Sequence, residues 1–381
     1  MNIRRMVSGL VIEMILGSVY AWSVFVPRLQ LEHDLTSAQS GIVFGTMIAS
    51  FTLTTNLGSK IQRKKGGRTT LLLSSLLFML GYVLASFSSG TFAYLVLGIG
   101  LIAGCGIGLG YIAILNLGLR QFARHQGLVL GIFMASFGAG SILLSYLSVF
   151  AMETLQWKVM LIFRAIGLIY GLLLAVCALF FDNHVEEQTK NPFNPAVFKQ
   201  QLFSKEFRSL FLGMFAGTFA GLLIIGNLNG IAQGVGARGA LSISLFSLGN
   251  ILGRLAWGVF HYRLGNYQSI VASLGILALS LFAILMIQTP SSLIFLAFLC
   301  GFGFGACFVL YAASVRSIFG SGSFSHLYPV CFLGYGLSGL ISPFLAGWLF
   351  DRSGSFRPAM ALSLGILGIS LLWIRKTLKN S

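Results

Sequence analysis

The 381-residue chain is 56% apolar and only 9% charged, where an ordinary soluble domain has roughly a quarter of its residues charged. With a mean hydropathy of +0.88, it has too little polar surface to cover the two or three soluble domains its length would otherwise suggest; disorder, coiled coil and collagen fail on the same numbers. The net charge of +16 would point to nucleic acid in a soluble protein, but in a membrane protein its distribution along the chain carries the meaning.

Arg4 and Arg5 precede an apolar run that begins at Met6. The run continues to about Val26 without a small-residue cleavage site, so it is a first membrane span rather than a signal peptide. A hydrocarbon core of ~30 Å takes about 20 mostly apolar residues per helix. On that measure, spans are expected near 6–29, 38–60, 70–89, 91–118, 127–150 and 158–181. The stretch 182–207 is polar and contains EEQTKNPFNP followed by an amphipathic AVFKQQLFSKEF, which predicts a linker with a short helix on the membrane surface. Six more spans follow near 208–232, 240–260, 268–288, 292–315, 326–350 and 358–374. The expected fold is therefore all-α and polytopic, with twelve transmembrane helices in two bundles of six, 1–181 and 208–381.

Charge tests this count. With the N-terminus in the cytoplasm, the cytoplasmic segments hold Arg4, Arg5, Lys60, Arg63, Lys64, Lys65, Arg68, Arg120, Arg124, Lys190, Lys199, Lys205, Arg208, Arg263, Arg316, Arg375, Lys376 and Lys379. The opposite face holds only Arg28, Lys158, Arg238, Arg352 and Arg357. The bias places both termini in the cytoplasm and requires an even number of spans. The basic excess thus sets topology and attracts anionic lipid. Nucleic acid is excluded as a partner, because no basic surface interleaved with exposed aromatics is present. The five cysteines all lie inside apolar runs with no CxxC, and read as small buried residues.

The two halves resemble each other. GCGIGLG at Gly104–Gly110 recurs as GFGFGA at Gly301–Ala306, and Gly66 of RKKGGR matches Gly265 of YRLGNY at nearly the same offset. Duplicated six-helix units are the plan of many secondary carriers. The GxGxG runs have no βαβ frame, so they read as close-packing helix motifs rather than a dinucleotide fingerprint.

Twelve spans as 6+6, a long central loop and a basic glycine-containing loop after spans 2 and 8 resemble the major facilitator superfamily. Its loop signature is G-x4-D-[RK]-x-G-x-[RK]. Here the first copy is Gly58, SKIQ, Arg63, Lys64, Lys65, Gly66, Gly67 and Arg68; the second is Gly258, VFH, Tyr262, Arg263, Leu264, Gly265 and Asn266. The resemblance implies gating loops at these positions, yet both copies lack the acidic latch residue, replaced by Arg63 and Tyr262. More narrowly, GSVYAWSVF (Gly17–Phe25), GCGIGLGYIAILN (Gly104–Asn116), RQFARHQGLVLGIFMASFG (Arg120–Gly138), NILGRLAWG (Asn250–Gly258) and SIFG (Ser317–Gly320) are similar to the oxalate/formate antiporter family. That family is close to the monocarboxylate transporters, which implies small carboxylates as substrates.

Arg254 is an ionisable residue in an otherwise apolar span, about six residues or ~9 Å from its cytoplasmic end. Such a group is expensive and by default functional; it either holds a carboxylate in a charge-assisted pair or snorkels to the interface. The resemblance favours the anion. Asn250, one turn earlier, stands where proton-coupled carriers tend to have Asp; an amide can orient the Arg but cannot shuttle a proton. Tyr335 stands where the antiporters have Lys, which removes the second cation of a dicarboxylate site and suits a monovalent anion. Tyr20 and Tyr111 match aromatic positions lining the family's site, and Phe137, Phe304 and Phe308 align where dicarboxylate carriers have Tyr, Trp and Tyr. Each Phe taken singly, in a chain with 34 of them, is better explained by helix packing. Glu13 is the only acid inside any predicted span. Two readings stay open for it: a proton-coupling group on the same helix face as Tyr20, or a capping or interfacial acid. Arg164 in span 6 reads as snorkelling or as making a structural bond, and His326 opens span 11.

The expected function is secondary transport of small organic anions of the lactate, pyruvate or formate type, by alternating access around Arg254, with a proton or counter-anion as the second partner. A drug or siderophore exporter is the alternative, and a non-transporting sensor on a carrier fold a more distant one. A membrane enzyme is not expected, since HExxH, GxSxG and P-loop motifs are absent, and nothing implies a cofactor or metal ion. The expected setting is a bacterial cytoplasmic membrane, with the protein a monomer, as is usual in this fold.

Overall fold

The computed structural model describes residues 3–87, 91–121, 126–183, 195–287 and 289–378. The described residues are helical throughout, apart from short turns. In lipid every backbone N–H and C=O must be satisfied within the segment, and a helix does this without an edge. Among the described residues, eleven helices are long and apolar enough to cross a membrane. They are α1 (Ile3–Val24), α2 (Ser37–Lys65), α3 (Gly67–Ser86), α4 (Phe92–Gly118), α5 (Gly131–Glu153), α6 (Val159–Ala178), α7 (Lys205–Gly234), a 48-residue element (Gly239–Met286), α10 (Pro290–Gly320), α11 (His326–Ser353) and α12 (Arg357–Thr377). The 48-residue element is broken at Gly265 (φ 76°, ψ −178°), which divides it into α8 (239–264) and α9 (266–286) and gives the twelve spans expected. The fold is two pseudo-symmetric six-helix bundles.

Gly265 and Gly66 (φ 84°, ψ 165°) share one backbone conformation, so the repeat seen in the two loop copies is also a repeat of geometry. That region is essentially open to glycine alone. Gly320 (φ 80°, ψ 165°) makes the same break between α10 and α11.

Three details depart from the expected spans. The first span is α-helical only to Gly17, tightens to a 3₁₀ segment over Ser18–Val24, and is continued by a short helix over Val26–His33. Val96–Ala103 and Ile166–Tyr170 are π-helical. The seventh span begins at Lys205, three residues before the expected 208, because Ser204 caps it by accepting from the Phe207 N–H at 3.2 Å. The expected surface helix occupies Pro195–Leu202. Residues 184–194 of that linker, Lys190 among them, together with Arg124 and Lys379, lie outside the described residues.

At the basic end of the first half, Arg5 pairs with Asp182 at 2.7 Å, and Arg68 donates to the Phe181 carbonyl at 2.7 Å. The end of α6 is thereby tied to the starts of α1 and α3. Arg164 lies 4.3 Å from the Phe87 ring centroid, and its Nε donates to Ser86 Oγ at 3.4 Å, a structural role between α6 and the end of α3. The two halves meet along α2 with α11 and along α5 with α8, where the Ser141 and Ser247 hydroxyls share a hydrogen bond of 2.7 Å.

A substitution pair separates backbone strain from packing at the α8–α9 break. A Cβ at Gly265 or at helical Gly275 meets nothing within 4 Å. Gly265→Ala should destabilise by about 1–3 kcal/mol through its positive φ, whereas Gly275→Ala should be neutral or stabilise by up to about 1 kcal/mol. Thermal unfolding midpoints of the purified variants check this: the first should fall and the second should not.

Candidate functional site

Arg254 is buried in α8, with 6% of its surface exposed. A snorkelling side chain would have its head in water, and this one does not. Its Nε donates to Asn250 Oδ1 at 3.2 Å, the one-turn spacing expected of positions i and i+4. The guanidinium lies 4.2 Å from the centroid of Phe308 in α10 and 5.8 Å from that of Phe137 in α5, so two ring faces partly replace water around the cation. One terminal nitrogen, Nη1, is buried with no hydrogen-bond partner. A guanidinium has five N–H donors, and here donors remain for an anion.

Aromatic rings from both halves enclose this group. Tyr20, placed by the 3₁₀ segment of α1, shares a 2.9 Å hydrogen bond with Tyr335 of α11. Tyr20 meets Phe137 and Phe304 edge-on, at 5.9 Å each between centroids. Phe308 meets Tyr335 at 5.2 Å and Phe304 at 5.1 Å. Tyr111 of α4 meets Phe137 at 5.3 Å, and the Tyr20 and Tyr111 hydroxyls also face the Arg254 guanidinium. Arg254, Asn250, Tyr20, Tyr111, Tyr335, Phe137, Phe304 and Phe308 therefore form one cluster, although they come from α1, α4, α5, α8, α10 and α11.

Glu13 is fully buried, at 0% exposure, and neither carboxyl oxygen has a hydrogen-bond partner. It is thus neither a helix cap nor an interfacial acid. The Arg254 charge acts on it, and its own reaches Tyr111. With 100° per α-helical residue and 120° per 3₁₀ residue, Glu13 and Tyr20 stay within about 40° of each other around α1. The tightening of the helix does not part them.

The residues of the two basic loops are elsewhere. Arg63, Lys64 and Arg263 are exposed, Gly58 is packed on Ile112 of α4, Gly258 is exposed, and Gly66 and Gly265 form the chain breaks already described. Tyr262, in the place of the second missing acid, is 91% exposed.

Three members of the cluster are absent from the sequence reading. Phe51 of α2 packs on Tyr111, Phe137 and Tyr335 at 5.2–6.2 Å; nothing in its neighbourhood distinguishes it among 34 phenylalanines. Tyr328 and Phe332 precede Tyr335 on one face of α11, with the Phe332 ring between the other two and tilted to both, at 5.9 and 5.3 Å between centroids. That i, i+4, i+7 stripe is a legible signal.

A model of the Major Facilitator Superfamily matches residues 8–322 and 210–380. The chain is similar to the uncharacterised MFS-type transporter YhjX of Escherichia coli K12, at 25% identity over 88% of this chain and 85% of that one. It is 24% identical to mouse monocarboxylate transporter 12 over 89% of this chain and 77% of that one. To the oxalate:formate antiporter of Oxalobacter formigenes it is 25% identical, over 81% and 75%. Among solved structures, a bacterial homologue of the human lysosomal transporter Spinster superposes with a TM-score of 0.76 at 13% identity, covering 100% of this chain and 99% of that one. A family model that reaches through both halves, on a frame of twelve spans with this inter-bundle cluster at its centre, makes the chain a member of the major facilitator superfamily.

Proposed function

We propose that this chain carries small organic anions, chiefly monocarboxylates, across the membrane by alternating access, with Arg254 as the anion-binding group. The observation that carries this reading is the buried Arg254 guanidinium with an unpartnered nitrogen inside a chamber built from both halves. A buried guanidinium with an N–H group left unpartnered is costly, and a carboxylate bound through charge-assisted hydrogen bonds removes much of that cost. Loading would thus ease closure of the two bundles around the site. Resemblance to a monocarboxylate transporter and an oxalate:formate antiporter supports the same substrate class.

The rings define the rest of the substrate. Phe51, Phe137, Phe304 and Phe308 offer apolar surface, and Tyr335 stands where a second cation would be needed for a dianion. The fit is to one carboxylate with a short apolar substituent. Glu13 supplies the coupling. With the site empty, its carboxylate balances Arg254; with an anion on Arg254, Glu13 takes up one proton, and the loaded site is again neutral. One proton then travels with each anion. The face rich in Lys and Arg, which bears both termini, lies in the cytoplasm, and the setting is a bacterial cytoplasmic membrane.

Uptake of radiolabelled lactate, pyruvate, formate and oxalate into proteoliposomes tests the reading. Arg254→Gln should lower monocarboxylate uptake about 10- to 100-fold, the worth of a charged hydrogen bond. Arg254→Lys should be impaired too, since an ammonium cannot reproduce the fork of the guanidinium. Failure of the wild type to move any acid, with active extrusion of a larger amphiphile, would replace this reading with that of an exporter. An acidic exterior should accelerate uptake by the wild type but not by Glu13→Gln; equal acceleration in both would remove Glu13 from the coupling. Tyr335→Lys, which adds a second cation beside the chamber, should raise the oxalate-to-lactate uptake ratio above that of the wild type.

A further inference from the structure

Asp351 is one of nine acidic residues in the chain. It stands near the C-terminal end of α11, where the negative end of the helix dipole disfavours a carboxylate. Its partners lie in the other half of the molecule. Oδ1 accepts from the Ser37 N–H at 2.9 Å and Oδ2 from the Ala38 N–H at 2.8 Å. Ser37 and Ala38 open α2, and a helix begins with four N–H groups that have no partner within it. Two of the four are met locally: the Thr36 N–H donates to Gln39 Oε1 at 3.0 Å and the Gln39 N–H to Thr36 Oγ1 at 3.1 Å. The other two are met by Asp351. The start of α2 is therefore completed by a side chain of α11, through charge-assisted bonds at the positive end of a helix.

Below this contact the two helices run backbone to backbone. Gly347 lies against the Ser37 carbonyl, Gly41 against Pro343 and Gly45 against Gly339. These small residues leave no room for an interlocking side chain, so the rim of the seam is where a specific bond can hold it. At the opposite end of the molecule, Arg63 and Tyr262 occupy the places of the family's acidic latch, and both are exposed. The Arg5–Asp182 pair at that end stays within the first half. Glu32, which accepts from the Val159 N–H at 3.1 Å, is a second carboxylate on a helix start, and it also stays within the first half.

We propose that Asp351 is a one-sided latch. It joins the two halves at the face away from the basic loops and releases α2 each time that face opens. Because the two signature loops lack their acid, the latch has no counterpart from them at the basic end. It therefore biases the empty transporter towards the state closed on the Asp351 side. The inference is independent of the substrate, so it stands or falls apart from the assignment of monocarboxylates.

The test is a distance measurement by double electron–electron resonance. Spin labels are placed at Leu31→Cys and Ile287→Cys, exposed sites flanking the Asp351 face in the first and second halves, after replacement of the five native cysteines by alanine. In substrate-free protein in nanodiscs, the short distance should dominate. Asp351→Asn should raise the ratio of long to short distances at least about fivefold, the scale of one lost charged hydrogen bond at an exposed rim. Ser37→Pro removes one of the two donors while keeping a residue suited to the first helical turn; it should shift the ratio the same way and serves if the Asn variant does not fold. Glu32→Gln, the same chemistry inside one half, should lower thermal stability and leave the distances unchanged. Wild-type distances in both Asp351→Asn and Ser37→Pro, or an equal shift in Glu32→Gln, would overturn the latch.

Discussion

Taking a guanidinium out of water is the constraint around which the centre of this protein is arranged. The idealised cost of moving such a charge into a medium of low dielectric is of order 20 kcal/mol, and several kcal/mol remain after relaxation. Arg254 meets part of it with one amide, Asn250, and part with the faces of Phe308 and Phe137. No ion pair is formed with it among the described residues. The opposite charge nearby is Glu13, which has no hydrogen bond of its own. A buried cation and a buried acid are each left with unpartnered polar atoms.

The second constraint is the backbone. Lipid allows helices but no unsatisfied backbone, so helix ends at the membrane faces have to be chemically closed. Glycines with positive φ at 66, 265 and 320 make the breaks, and Thr36, Ser204 and Thr289 cap the helices that follow turns. The start of α2 departs from this local economy by drawing on Asp351 of the other half. Bonds of this kind, between bundles and near water, can be exchanged for water without leaving a buried polar group bare. The seam beneath them is lined by small residues, and backbones in such contact have little interdigitation to undo when they part.

These two constraints act on different parts of the chain. The inner cluster is built from aromatic groups, Asn250 and one Arg contributed by seven spans, so it depends on both bundles being in place. The rim contact needs only the ends of α2 and α11. The central cluster and the rim contact thus share no residues, although both join the two halves.

Much of this was legible in the amino acids alone. Hydropathy and the distribution of Lys and Arg determine a twelve-span all-α protein, because the length of an apolar run is set by the thickness of the bilayer and not by any neighbour. Arg254 and Glu13 stood out for the same reason: a charge inside an apolar run is costly wherever the helix goes. It takes the packed helices to bring Arg254 among rings from both halves, to add Phe51, Tyr328 and Phe332 to them, and to carry Asp351 across to Ser37 and Ala38. When every face of a helix is apolar, its periodicity does not report which residues point inward. A 3₁₀ or π segment leaves no compositional mark either. Composition along the chain is enough to say how many helices cross and which charges lie within them; which residues meet follows from the packing of one half against the other, since that depends on shape complementarity between surfaces far apart in the chain.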